Sequence, residues 1–232
     1  MSMENLPDDY EAVMPGTTFY MPYGTKQMQD KTSYLVTKRL LDMILSAVGL
    51  IVLLPLFVVI AILIKLEDPK GTVFFKQTRV GKNEKLFNMY KFRSMVSNAE
   101  ELKKDLMALN EVSGAMFKIK NDPRITKMGR FLRKTSIDEI PQLWNVLIGD
   151  MSLVGPRPPL PSEVEQYSDY DKQRLLVTPG CTGYWQVTAR NSVGFEEMVQ
   201  MDLKYIHVRS TWLDLKIIVK TAFMMIFSRD AY

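Results

Sequence analysis

The stretch from Met43 to Ile64, MILSAVGLIVLLPLFVVIAILI, has no charged residue and a single proline, Pro55. Nothing else in the chain limits its fold as strongly. At about 1.5 Å per residue, about 22 residues make roughly 33 Å of helix, close to the roughly 30 Å hydrocarbon core of a bilayer. Length alone allows a straight span. Pro55 opposes it, because proline removes a backbone hydrogen bond and clashes with the preceding turn. Bent there, each arm of about 10 residues reaches about 15 Å, roughly one leaflet. Lys26, Lys31, Lys38 and Arg39 precede the run, and Lys65, Lys70, Lys76, Arg79 and Lys82 follow it. The positive-inside rule gives no orientation when both flanks are basic, and it is satisfied with both on the cytoplasmic face. A re-entrant hairpin and a spanning helix with a tolerated proline are therefore both open.

The remainder of the 232 residues is enough for one globular domain. Lys and Arg exceed Asp and Glu by 30 to 26. That excess suits anionic lipid or phosphate and is too small to call for nucleic acid as a partner. Cys181 is the sole cysteine, so no internal disulfide forms, and no Cys/His cluster suggests zinc. A lone cysteine reads first as a core residue. His207 is the sole histidine, which turns attention from histidine chemistry to carboxylates, Lys, Arg and a divalent cation. Residues 1–30 are acidic, contain Pro and Gly, and read as a mobile tail.

After the apolar run, Phe74–Phe75 to Tyr90–Phe92 reads as a small β-hairpin around Val80-Gly81-Lys82-Asn83. Leu102, Leu106 and Leu109 recur at helical spacing. TKMGRFLRK reads as a short basic helix, and SIDEIPQLWNVLIGD as a second helix with Gly149 near its end. SLVGPRPPLP is an extended loop stiffened by prolines. VTPGCTGYWQVTARN reads as a short aromatic strand or loop. TWLDLKIIVKTAFMMIF is too charged to span easily and either packs on the domain or lies in the membrane interface. The pattern is α+β and mainly helical, with a tail over 1–30, a membrane element over 31–66 and a folded domain over 67–232.

Asp138 and Glu139 are adjacent in TSIDEIPQ. One reading is structural: Ser136 and Glu139 have capping-box spacing, and acids favour a first helical turn. The other is chemical. An Asp carboxylate can attack phosphorus, and a neighbouring carboxylate can hold Mg²⁺ against a diphosphate. Lys91 and Arg93 in YKFRSM, Arg133 in GRFLRK, Arg157 in GPRPP and Arg190 in TARN are candidate phosphate contacts, each also readable as a surface cation. Arg157 stands out, because prolines on both sides pin its backbone. Tyr184 and Trp185 are either core or a stacking surface for a base. No GxGxxG or Walker loop occurs.

These stretches together resemble one family, the monotopic bacterial phosphoglycosyl transferases, also called bacterial sugar transferases. The resemblance rests on KRLLDMILSAVGLIVLLPLF, FFKQTRVGKNEKLFNMYKFRSM, NDPRITKMGRFLRKTSIDEIPQLWNVLIGDMSLVGPRP, TPGCTGYWQVTARN and DLKYIHVRSTWLDLKIIVKT, and it covers nearly all of Lys38 to Thr221. It implies an α+β, mainly helical monotopic membrane protein on the cytoplasmic face, with a re-entrant helix broken at Pro55 and interfacial amphipathic helices. It implies transfer of sugar-1-phosphate from a UDP-sugar to undecaprenyl phosphate, with release of UMP, as the first membrane step of exopolysaccharide or capsule synthesis. UDP-glucose or UDP-galactose is the expected donor. Asp138 is implied as the nucleophile of a covalent phosphosugar intermediate, and Asp138 with Glu139 as the Mg²⁺ site. Lys91, Arg93, Arg133, Arg157 and Arg190 are implied as substrate contacts. Asp202 matches a further polar position without a role. Leu54, Cys181 and Ala189 depart from the residues usual at those places. Membrane lipids are expected partners and a homodimer is allowed. The competing reading is a catalytically silent scaffold of polysaccharide assembly at the membrane surface.

Overall fold

The computed structural model describes residues 32–106, 119, 122–189 and 193–227, with only the backbone at 100 and 103–105. Lys31–Tyr232 form one compact unit. The tail over 1–30 lies outside the described residues.

Helix α1, Thr32–Glu67, contains the whole apolar run and is continuous through Pro55. The proline is thus accommodated inside the helix and does not interrupt it. Contacts with the rest of the protein recur about once per turn along one face. Tyr34 and Lys38 donate to Asp214, at 3.0 and 2.9 Å. Arg39 donates to Val146 O and Leu147 O, at 2.7 and 2.8 Å. Asp42 accepts from Leu153 N at 3.0 Å. Beyond Pro55, Leu56, Phe57, Ile60 and Ile64 pack with Phe92 and Leu132. Glu67 accepts from Lys127 N and Met128 N, at 2.7 and 3.0 Å. The same body therefore touches α1 on both sides of Pro55. The outward face is bare and apolar: Ile51 is 73% exposed, Val52 68% and Leu54 60%. A continuous uncovered strip of this kind marks a surface meant for lipid or protein.

Strands β1 (Phe74–Val80) and β2 (Leu86–Phe92) form the expected antiparallel hairpin. Its turn contains Asn83 and Glu84 at positive φ, 54° and 60°. Helix α2 spans Ala99–Leu106, so Leu109 falls outside the described residues. Helix α3, Lys127–Lys134, is capped by the Thr126 side chain on Gly129 N and by Glu67 on its first amides, an anion at the positive helix end. A Cβ at Gly129 would meet Ser94 O at 1.9 Å, so only glycine lets α3 sit on the chain leaving β2.

The second expected helix is shorter than the pattern suggested. Ile137–Glu139 is a 3-10 turn, and α4 begins after Pro141 and spans Gln142–Ile148. It stops at Gly149, whose φ of 97° suits glycine at that end. Arg39 supplies the cation at its carbonyl end. Strand β3 (Ser152–Val154) pairs in parallel with β4 (Gly180–Thr182), and the proline loop lies between β3 and α5 (Pro161–Val164). Helix α6 spans Asp169–Lys172, and a 3-10 turn follows at Gln173–Leu176. The aromatic stretch is helical, not extended: α7 is Tyr184–Thr188. A strand partner is already present in GCT, and the glycine at 183 ends it. Helix α8 spans Phe195–Val208, and α9 spans Thr211–Phe227. On α9, Asp214 and Ile217 are buried while Trp212, Val219 and Phe223 are exposed, so this helix packs by one face and leaves an apolar face outside.

Among the described residues two core clusters stand out. One joins Ile60 and Ile64 of α1 to Phe92 and Leu132. The other joins Phe87 and Met89 of β2 to Val146 and Met151, with Cys181 packed against it. Burial pushes the Cys181 thiol well up, as expected of a core cysteine. Between the clusters Asn145 is fully buried. It donates to Asn88 O at 2.7 Å and accepts from Tyr90 N at 3.0 Å, locking α4 to the free edge of β2. Replacing Asn145 by Leu leaves the part-buried Asn88 carbonyl and Tyr90 amide without this partner, each costing up to about 1–3 kcal/mol. Chemical denaturation of Asn145→Leu is expected to show a stability loss in that range or above.

Candidate active site

Asp138 and Glu139 sit in the 3-10 turn between α3 and α4. Ser136 enters that turn at φ 55°, ψ 16°, and its side chain makes no cap. The capping-box reading of the acidic pair is therefore corrected: a left-handed residue cannot hold the extended backbone that an N-cap side chain needs. A left-handed non-glycine residue costs roughly 1–2 kcal/mol, and it stands two residues from Asp138. Asp138 is buried. Its carboxyl is pushed up to about 6, first by burial and then by the charge of Glu139, with Lys91 and Arg133 pulling it down.

The cations come from separate elements. Lys91, on β2, donates to Glu139 Oε1 at 2.6 Å. The Asn145 lock holds β2 and α4 together and so makes that approach possible. Arg133, on α3, donates through Nε to Ser94 Oγ at 2.9 Å and acts on Asp138 by its charge. Arg157 is half-buried in the proline loop. Arg93 is held elsewhere. It donates to the Asp68 carboxylate and to Asp68 O, each at 2.7 Å. Strand β2 ends at Phe92, so the alternation that places Lys91 at the turn does not carry on to Arg93. Arg190 lies outside the described residues. Trp185 is partly buried, and its Nε1 has no hydrogen-bond partner among the described residues.

Two arginines not singled out as site candidates also belong here. Arg79 on β1 is buried, and donates to Gln77 Oε1 at 2.6 Å and to Pro158 O at 3.0 Å. Burial, then the neighbouring Arg157 charge, pull its pKa down to about 10, while Glu163 and Glu139 oppose the shift. Arg79 therefore lies electrostatically between Arg157 and the acidic turn. The period of two along QTR was the available signal, since it puts Gln77 and Arg79 on one strand face. Arg174 is buried in an ion pair with Asp202. Burial pushes Asp202 up to about 6, against the pull of Arg174 and then Arg157. Asp202 thus gains a partner that no spacing in the sequence announced.

The donor set can be tested against Mg²⁺. This ion takes one or two protein carboxylates and completes its shell with water and substrate phosphate. Asp138 and Glu139 are two adjacent carboxylates, and the repulsion that helps to raise Asp138 is what a cation would relieve. They fit that pattern. Among the described residues no group of three or more His, Cys, Asp or Glu forms a metal cage.

The chain belongs to the bacterial sugar transferase family, whose model matches residues 33–228. It is 46% identical over 202 residues to the galactosyl transferase CpsE of Streptococcus agalactiae, covering 87% of this chain and 44% of that one. It is 45% identical over 206 residues to the undecaprenyl-phosphate galactose phosphotransferase of Salmonella typhimurium, covering 87% of this chain and 43% of that one. The chain thus spans less than half the length of these two relatives. It is also 38% identical over 201 residues to the exopolysaccharide production protein ExoY of Rhizobium meliloti, where it covers 88% of the relative and 85% of itself.

A raised carboxyl in the fold gives stability that is complete at low pH and is lost as pH rises through about 6. Asp138→Asn removes that loss. In metal-free buffer the variant is expected to be more stable than the parent at pH 8 by about 3 kcal/mol, with the gap closing toward pH 4. Denaturation at both pH values measures it.

Proposed function

We propose that this protein transfers sugar-1-phosphate from a UDP-sugar to undecaprenyl phosphate, releasing UMP, at the cytoplasmic face of a bacterial membrane. The observation that carries the reading is the buried Asp138 beside Glu139, faced by Lys91 and Arg133, in a chain of this family. The relatives include a UDP-glucose:undecaprenyl-phosphate glucose-1-phosphate transferase of Klebsiella pneumoniae, 40% identical over 206 residues, and the undecaprenyl-phosphate galactose phosphotransferase of Salmonella typhimurium. UDP-galactose and UDP-glucose are accordingly the proposed donors, and exopolysaccharide or capsule assembly the proposed use.

In this reading an Asp138 oxygen attacks the β-phosphorus. The bond from that phosphorus to the bridging oxygen breaks, and UMP leaves with the electron pair. A phosphate oxygen of the lipid then attacks the same phosphorus, and the Asp138–phosphorus bond breaks to free the carboxylate. Burial suits the first step, because a poorly solvated carboxylate is the better nucleophile once deprotonated. Lys91, Arg133 and Arg157 orient and neutralise the diphosphate. Mg²⁺, held by Asp138 and Glu139, would supply further charge neutralisation on the phosphates. The scaffold alternative gives no reason for a buried carboxylate set among these cations.

The membrane reading is a re-entrant α1 with both ends cytoplasmic. Its support is that one body contacts α1 both before and after Pro55.

Purified protein with Mg²⁺ and undecaprenyl phosphate is expected to release UMP from UDP-galactose or UDP-glucose. Asp138→Asn is expected to lower the rate by at least about a thousandfold, as loss of a nucleophile does. Inactivity toward every UDP-sugar, beside an active relative, would sink the proposal. Cysteines at Ser33 and Lys70 are expected to react with an impermeant reagent from one membrane face only. Labelling from opposite faces would overturn the re-entrant topology.

A further inference from the structure

We propose that the buried Arg174–Asp202 ion pair is a positioning device that holds the backbone of Arg157 for the donor's phosphate. The inference rests on the proposed function, in which Arg157 meets that phosphate.

The loop carrying Arg157 has prolines at 156, 158 and 159, so most of its residues offer no N–H for turns of its own. Its carbonyls still need donors when buried. Each of the four from 156 to 159 has one. Pro156 O accepts from Gly180 N at 2.9 Å, and Pro159 O from Val80 N at 2.9 Å. Pro158 O accepts from Arg79 Nη1 at 3.0 Å, and Arg157 O from Arg174 Nη2 at 3.4 Å. Strands β1 and β4 thus grip the two ends of the segment, and two arginine side chains grip its middle. The Arg157 guanidinium itself has no hydrogen bond or ion pair among the described residues, so it is the cation this clamp leaves available.

Stability alone does not account for the pair. A buried ion pair is often no better than apolar residues of the same volume. A pair optimised for its own attraction would also be a two-pronged fork. Here only Arg174 Nη2 meets Asp202 Oδ2, while Arg174 Nε and Asp202 Oδ1 have no partner among the described residues. The guanidinium is instead turned so that Nη1 reaches Tyr167 OH at 3.0 Å and Nη2 reaches Arg157 O. Asp202 cancels the charge of Arg174, which would otherwise repel Arg157 from beneath. The same negative charge acts on Arg157 directly.

Arg174→Lys keeps a cation opposite Asp202 but cannot span Asp202, Tyr167 and Arg157 O at once. The donor KM is expected to rise about tenfold, the acceptor KM and the melting temperature staying at the parent values. In an Arg157→Ala background the same change is expected to do nothing further to the donor KM, because Arg174 acts only through Arg157. An equal effect in both backgrounds overturns the inference, as does a fall in melting temperature with an unchanged donor KM. If Arg174→Lys does not fold, the double variant Arg174→Met, Asp202→Leu removes both charges at similar volume, and the same comparison applies. Calorimetric binding of UDP reads the coupling without turnover. A parent that binds UDP but uses no donor then counts against the activity alone, and one that fails to bind UDP overturns both.

Discussion

The Asn145 amide is where the polar requirements of two elements are met at once. Strand β2 has one edge paired with β1 and the other open, and an open edge inside a protein leaves amides and carbonyls without partners. Asn145 closes it at Asn88 O and Tyr90 N, from a helix rather than a strand. Three consequences follow from that one side chain. Helix α4 lies against β2, so the Asp138–Glu139 turn just before α4 comes to Lys91. The carbonyl end of α4 is presented to Arg39, so α1 docks beside it. The chain leaving α4 then enters β3 and the proline loop, which places Arg157.

Helix α1 is therefore more than an anchor. Lys38 donates both to Asp214 and to Val154 O, three residues before Arg157. Tyr205 donates to Asp214 at 2.7 Å and adds α8 to the same group. Asp42 holds the next residue back, Leu153. The apolar helix and the loop that carries Arg157 are thus tied through one buried polar group. Burying Asp214 is tolerable because Tyr34, Lys38 and Tyr205 all donate to it.

Local patterns in the chain were good guides where local forces decide. The apolar run, the hairpin and the Thr126-capped helix α3 all formed where periodicity and turn residues put them. The acidic pair was visible as a candidate, and so were Lys91 and Arg133. Reading failed where a local rule met a tertiary one. Ser136 and Glu139 have the spacing of a cap, but the chain leaving α3 passes through a left-handed Ser136, whose side chain makes no cap. Arg93 looks like a twin of Lys91, yet it lies past the strand end and is held by Asp68. The aromatic GYWQVT stretch favours a strand by composition and is a helix.

The sequence by itself determined that an uncharged apolar helix must leave water and that no internal disulfide can form, and it made carboxylates and arginines the candidate site residues. Those conclusions follow from residue type and short-range order, which folding does not alter. Only the tertiary structure decided which cations face the acidic turn, that Arg79 lies beside Arg157, and that Arg174 finds Asp202. Arg79 and Arg157 are 78 residues apart in the sequence, Arg174 and Asp202 28, and Lys91 and Glu139 48, separations that only packing bridges. Burial and the Lys91 charge, which packing supplies, act on the raised carboxyl of Asp138 together with its sequence neighbours Glu139 and Arg133.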